Sequence, residues 1–158
     1  MMPSLLLAAA TGAALLLPFV SVRDQSGEEI TKENILATGQ EWQEKHAHYE
    51  PEAEMINALK GKLGADAKID IYLGLWCPDS LNNVPLFIKI MDRLEAGIPV
   101  HYFSLPRKAG SDMKYFVEEL KVDRVPTFIF YKGDKEIGRI VENPKAGMLE
   151  DFMEIVFK

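Results

Sequence analysis

A single cysteine, Cys77, stands in a chain of 158 residues. That scarcity excludes any disulfide within the chain and any structural zinc site built on paired thiolates, so the fold must hold by packing. Basic residues are also in short supply, 18 Lys and Arg against 24 Asp and Glu, for a net charge of −6. Neutralising phosphates takes a concentrated Lys/Arg surface, so nucleic acid is excluded as a partner. A polybasic attachment to a membrane surface is excluded on the same ground. Internal repeats and low-complexity runs are lacking. What remains is an ordinary globular mixture, 47% hydrophobic and 27% charged, of a length that suits one domain.

Charge is missing altogether from Leu5 to Val22 and then begins densely at Arg23. An uncharged stretch beside the N-terminus reads as a secretory signal. Met1 to Ser4 carry no Lys or Arg, and no small-x-small cleavage site lies between Pro18 and Arg23, so an uncleaved membrane anchor is a second option. A buried N-terminal helix is the bland alternative, opposed by Pro18 and by the lack of a polar face. A lipid anchor is excluded because no cysteine follows the run. The expected organisation is a signal peptide or anchor over 1–22, a helical extension over 23–66 and one α/β domain over 67–158, with the protein exported to the periplasm or another extracytoplasmic space.

Helix signals run from residue 31 to about 48, with Thr31 as N-cap and Ile30, Ile35, Leu36 and Trp42 spaced for one apolar face. A second helical stretch opens at Pro51, carries Met55, Ile56, Leu59 and Leu63, and stops at Gly64. Ile69 to Leu75 reads as a buried strand that ends in Trp76-Cys77-Pro78-Asp79-Ser80. Leu81, Val84, Phe87, Ile88, Met91 and Leu94 then recur at helical steps, with Pro85 expected to kink that helix. Ile98 to Leu105 is another strand, and Ser111 to Leu120 a short helix with Met113, Phe116, Val117 and Leu120 inward. Thr127 to Tyr131 and Ile137 to Val141 form a hairpin about Lys132-Gly133-Asp134. A last helix starts at Asn143-Pro144 and buries Met148, Phe152, Ile155 and Val156. The order β-α-β-α-β-β-α describes an α/β fold, a three-layer sandwich on a mixed sheet.

Cys77 is the residue on which chemistry can rest. With Pro78 as the first helical residue, Cys77 is the N-cap, and its sulfur is expected to face the Asp79 and Ser80 amides at the positive end of the helix dipole. Such surroundings favour a thiolate nucleophile. An inert buried thiol is the plain alternative. Other constellations are weaker. His46 and His48 do not share a helix face, so a metal is not expected there. His101 reads as a satisfied core residue, and Arg139 and Glu142 as surface charge.

These motifs at these places resemble the thioredoxin superfamily, over roughly Lys68 to Lys158. Trp76-Cys77-x-x-Ser80 stands where thioredoxins carry Trp-Cys-x-x-Cys, and Pro85 matches the proline of the active-site helix. Val125-Pro126-Thr127 matches the family's cis-proline segment, and Gly133-Asp134 with Gly138-Arg139 its hairpin. The resemblance implies a thioredoxin-like α/β/α sandwich and contact of Trp76, Pro78, Val125 and Pro126 with extended client segments by strand addition. Ser80 replaces the resolving cysteine. It can donate to a Cys77 thiolate but cannot attack a mixed disulfide. Ile71 stands where the family has a buried acid, with Asp70 on the opposite face. Asp79 is either a proton relay or a residue that favours the helix N-terminus. The expectation is monothiol exchange, isomerisation or capture of clients bearing cysteines or disulfides, with no cofactor and with glutathione or another external thiol as co-substrate. A non-catalytic client-binding or holdase module is the rival reading. The chain is expected to be a monomer, a dimer linked through Cys77 being a further option.

Overall fold

A computed structural model describes residues 27–107 and 114–158. The uncharged run to Val22 and the Ser111–Met113 start of the expected short helix lie outside the described residues. Strands β1 (Glu28–Ile30), β2 (Ala67–Leu73), β3 (Val100–Ser104), β4 (Thr127–Lys132) and β5 (Lys135–Val141) form one five-stranded sheet in the order β1-β3-β2-β4-β5. Only β2 and β3 run parallel; the other neighbours are antiparallel. The sheet is therefore mixed.

Helices α1 (Lys32–Leu36), α2 (Gln40–His48), α3 (Ala53–Leu59), α4 (Pro78–Leu94), α5 (Lys114–Glu118) and α6 (Met148–Val156) complete the described elements. Strand β2 explains the layering. Ile69, Ile71 and Leu73 face one core with Phe128 and Phe130 of β4, while Tyr72 faces a second core with Ile129. A strand buried on both faces needs a continuous apolar run, as this one has. The first core lies under α4 and α6, where Phe87 meets Phe128, Phe130 and Phe152 at ring-centroid distances of 5.2, 6.0 and 5.6 Å. Phe116 and Leu120, within and just after α5, close the second. A Cβ on Gly138 of β5 would stand 2.9 Å from Ile155, so α6 rests directly on backbone there.

Several expectations need correction. The segment 23–66 contributes β1 to the sheet as well as helices, so it is not purely helical. The helix expected over 31–48 is two helices broken before Gly39. Thr31 does cap α1, its hydroxyl taking the Asn34 amide while the Asn34 side chain takes the Thr31 amide, each at 3.2 Å. Helix α3 ends at Leu59, well before Gly64. Val117 is 41% exposed rather than inward. Helix α6 begins at Met148, because Asp151 turns back to accept the Lys145 and Ala146 amides and fixes the preceding segment as a loop. His101 is no core residue: its side chain is 38% exposed and Nδ1 lies 2.6 Å from Glu29 Oε1. Arg139 is more than surface charge, since it grips Glu136 and donates to the Leu120 and Lys121 carbonyls, tying the end of the α5 segment to β5.

Helices α2 and α4 pack together, and Asp92 of α4 ties the N-terminal helices to it. Its two carboxylate oxygens meet Lys32 Nζ at 2.6 Å and His46 Nε2 at 2.9 Å. Burial opposes the charged carboxylate, but Lys32 and His46 outweigh it and hold its pKa below the ordinary value of 3.8. The stabilisation is thus complete above the ordinary value and lost as pH falls through the lower, folded one. Urea unfolding of Asp92→Asn should show a loss of at most about 1 kcal/mol at pH 7 and a shallower acid decline than the parent. Phe87→Ala, at the junction of three aromatic rings, should cost about 3–5 kcal/mol in the same measurement.

Candidate functional site

The chain passes from β2 to α4 through Gly74-Leu75-Trp76-Cys77. Two hydrogen bonds close this turn: Cys77 N–H donates to the Gly74 carbonyl at 2.9 Å, and Gly74 N–H donates to Ser80 Oγ at 3.1 Å. Gly74 is required by close approach, because a Cβ there would stand 2.7 Å from the Trp76 ring. Trp76 is held in place from the other side of the sheet's end, its Nε1 donating to the Leu105 carbonyl at 2.9 Å. The guanidinium of Arg107 lies 5.2 Å from the ring centroid.

Cys77 is the N-cap of α4, with extended backbone at φ −93° and ψ 124°, and Pro78 is the first helical residue. The Cys77 carbonyl accepts the Leu81 amide at 3.0 Å. The cysteine is 8% exposed. No side-chain hydrogen bond from Cys77 caps the helix; its thiol donates instead to the Val125 carbonyl at 3.4 Å. The expectation that the sulfur faces the Asp79 and Ser80 amides is corrected accordingly. The Val125–Pro126 peptide is cis.

One further residue differs from its expected placement, and Asp79 keeps to the helix terminus. Ser80 is fully buried and its hydroxyl accepts from Gly74, so it braces the turn and makes no hydrogen bond to the sulfur among the described residues. Asp79 lies in the first turn of α4, but its carboxylate takes the Asn143 side-chain amide at 3.2 Å rather than approaching Cys77. Asp70 lies in the second-core face and is 3.1 Å from Lys68 Nζ. Cys77, Trp76, Pro78, Val125 and Pro126 are gathered at one end of the sheet.

Sequence reasoning missed the residues that join the two halves of this site. Asn83 of α4 is buried, and its Nδ2 reaches the Asp79 carbonyl at 3.0 Å, the Glu142 carbonyl at 3.1 Å and Asn143 Oδ1 at 2.9 Å. Glu142 in turn donates its amide to the Pro126 carbonyl at 2.7 Å and its carboxylate meets Arg124 at 2.9 Å. Glu142 holds φ +59°, a left-handed backbone that costs a non-glycine residue energy. The first turn of α4 and the cis-proline segment are thereby braced through one residue. Among the described residues, no group of three or more His, Cys, Asp or Glu side chains could hold a metal.

This arrangement presents one thiol beside the Val125 carbonyl, with no second thiol in the chain. Residues 14–153 match the family model described as thioredoxin. A protein of unknown function from Pseudomonas aeruginosa shares the fold, with a TM-score of 0.54 at 12% identity, over 81% of this chain and 84% of that one. Thioredoxin O2 from Arabidopsis thaliana in the oxidized state gives a TM-score of 0.45 at 17% identity, over 66% of this chain and 85% of its own. The oxidized mitochondrial thioredoxin 3 of Saccharomyces cerevisiae gives 0.41 at 22% identity, over 64% and 86%. Comparison with curated proteins yields no match. The family match spans both the cysteine turn and the cis-proline segment, and the chain belongs to the thioredoxin family, whose general chemistry is thiol–disulfide redox.

Proposed function

We propose that the protein carries out thiol–disulfide exchange through Cys77 alone, on client proteins that carry cysteines or disulfides. The observation that supports this most is the position of Cys77: the chain's single cysteine, at the start of α4, 3.4 Å from the Val125 carbonyl beside cis-Pro126. In the forward step the Cys77 thiolate attacks one sulfur of a client disulfide. A Cys77–client disulfide forms, and the second client sulfur leaves as a thiolate. Ser80 carries no sulfur to reverse this. An external thiol such as glutathione attacks the client sulfur of the mixed disulfide, returns the Cys77 thiolate and leaves as a client–glutathione disulfide. No cofactor takes part. An extracytoplasmic setting, which the uncharged run from Leu5 to Val22 leads us to propose, would bring disulfide-bearing clients within reach.

Trp76, Pro78, Val125 and Pro126 line the approach, and Val125 offers backbone for pairing with an extended client segment. Asp79, held by Asn143, serves this reading as a helix-terminus charge rather than as a proton relay. The near-complete burial of Cys77 favours a second reading, in which the groove holds clients without turning over.

The full chain, assayed on a model disulfide with and without glutathione, separates the two. Glutathione-dependent turnover that vanishes in Cys77→Ser is the expected result. Turnover that survives Cys77→Ser removes the proposal, and client binding indifferent to that change, with no turnover in the parent, establishes the second reading. The brace has its own signature. Asn83→Ala should slow mixed-disulfide formation about tenfold while the far-ultraviolet spectrum stays native, since roughly 1–3 kcal/mol of buried hydrogen bonding holds the two halves together. An unchanged exchange rate would reduce Asn83 to a purely structural residue.

A further inference from the structure

A cavity of about 590 Å³ lies away from the thiol, between β1, β3 and the C-terminal end of α4. Helix α4 separates it from Cys77 by about 25 Å, the length of its 17 residues. Its volume is that of a small-molecule site.

The charges around it do not cancel. Lys32 and His46 are both engaged by Asp92, and His101 by Glu29. Glu33 and Glu95 also line the cavity, and neither has a hydrogen-bond or ion-pair partner among the described residues. An acidic rim alone would mean little, since surface carboxylates are commonly solvated. Tyr102 adds an independent observation. It is 6% exposed, lines the cavity floor, and its hydroxyl makes no hydrogen bond among the described residues. Every fully enclosed side-chain polar atom among those residues does have a partner. The Tyr102 hydroxyl, on a side chain otherwise buried, is therefore not sealed in protein but opens onto the cavity, where its oxygen is left to accept a hydrogen bond from an occupant. Burial, reinforced by Asp92 and Glu33, pushes its pKa upward, so it stays a neutral phenol with a lone pair to offer. Ile30, Met91 and Ile98 supply an apolar wall.

We propose that this cavity binds a small primary ammonium with an apolar tail. An ammonium has three N–H donors and no acceptor. Glu33, Glu95 and the Tyr102 oxygen offer three acceptors, two of them anionic, while the tail lies against Ile30, Met91 and Ile98. An inorganic cation fits less well, because no cluster of three ligating side chains stands among the described residues and one wall is hydrocarbon.

Titration of the full chain with hexylammonium, followed by backbone amide chemical shifts, tests this independently of any thiol chemistry. The expected shifts fall on β1, Glu95 to Ile98 and Tyr102, with hexan-1-ol binding about tenfold more weakly or not at all. The double variant Glu33→Gln/Glu95→Gln, both exposed positions, should lose about tenfold in affinity. Tyr102→Phe should weaken the amine and leave the alcohol unchanged. The proposal is overturned by hexan-1-ol binding as tightly as the amine, by an affinity that the Gln variants leave intact, or by the absence of shifts at millimolar hexylammonium.

Discussion

The turn from Leu73 to Pro78 is the constraint from which the rest follows. A strand buried on both faces must hand the chain to a helix within a few residues, and each buried amide on the way needs an acceptor. The Gly74 amide finds the Ser80 hydroxyl, and the Cys77 amide finds the Gly74 carbonyl. With those two bonds made, α4 starts at Pro78 in a fixed direction, its apolar face falls on β2 and β4, and Phe87 arrives between Phe128, Phe130 and Phe152. Glycine at 74 lets the Trp76 ring lie against the backbone, and that ring in turn reaches the end of β3 through the Leu105 carbonyl. One short turn thus sets the core and the position of the thiol together.

Much of this is legible in the sequence, and the reasons differ by element. Strand β2 announces itself because double-sided burial forces an unbroken apolar run. Helix α4 does so because its apolar positions recur over several turns and Pro78 marks the start. Strand β1 is hidden: Glu28-Glu29-Ile30 carries no alternation and becomes a strand because β3 offers it an unpaired edge. The start of α6 is misread for a related reason. Asn143-Pro144 looks like an opening, yet Asp151 claims the amides that would have begun a helix there.

At the site, the turn residues and the cis-proline segment are readable because each has a local reason to be what it is. Asn83 has none. An asparagine within a helix looks unremarkable until Glu142 and Asn143, distant in sequence, arrive beside it. Ser80 was expected to serve the sulfur and serves the turn instead, since a hydroxyl one turn into the helix lies closer to the orphan Gly74 amide. Glu142 shows the same effect of context. Its left-handed backbone is tolerated because its amide, carbonyl and carboxylate all find partners there.

The hydrogen bond between Cys77 and Val125 has a consequence for the order of events in the groove. In the resting protein the thiol hydrogen occupies one lone pair of the Val125 carbonyl. A sulfur in a disulfide has no hydrogen to give. In the proposed exchange, ionisation of Cys77 to the attacking thiolate therefore already vacates the acceptor that an extended client backbone needs for its own amide. The proposed release step returns Cys77 as a thiolate, and its reprotonation then restores the hydrogen and sets the departing backbone in competition with it. On that reading the bond works as an interlock: the carbonyl is offered while the sulfur is ionised or committed and withdrawn once the thiol is reprotonated.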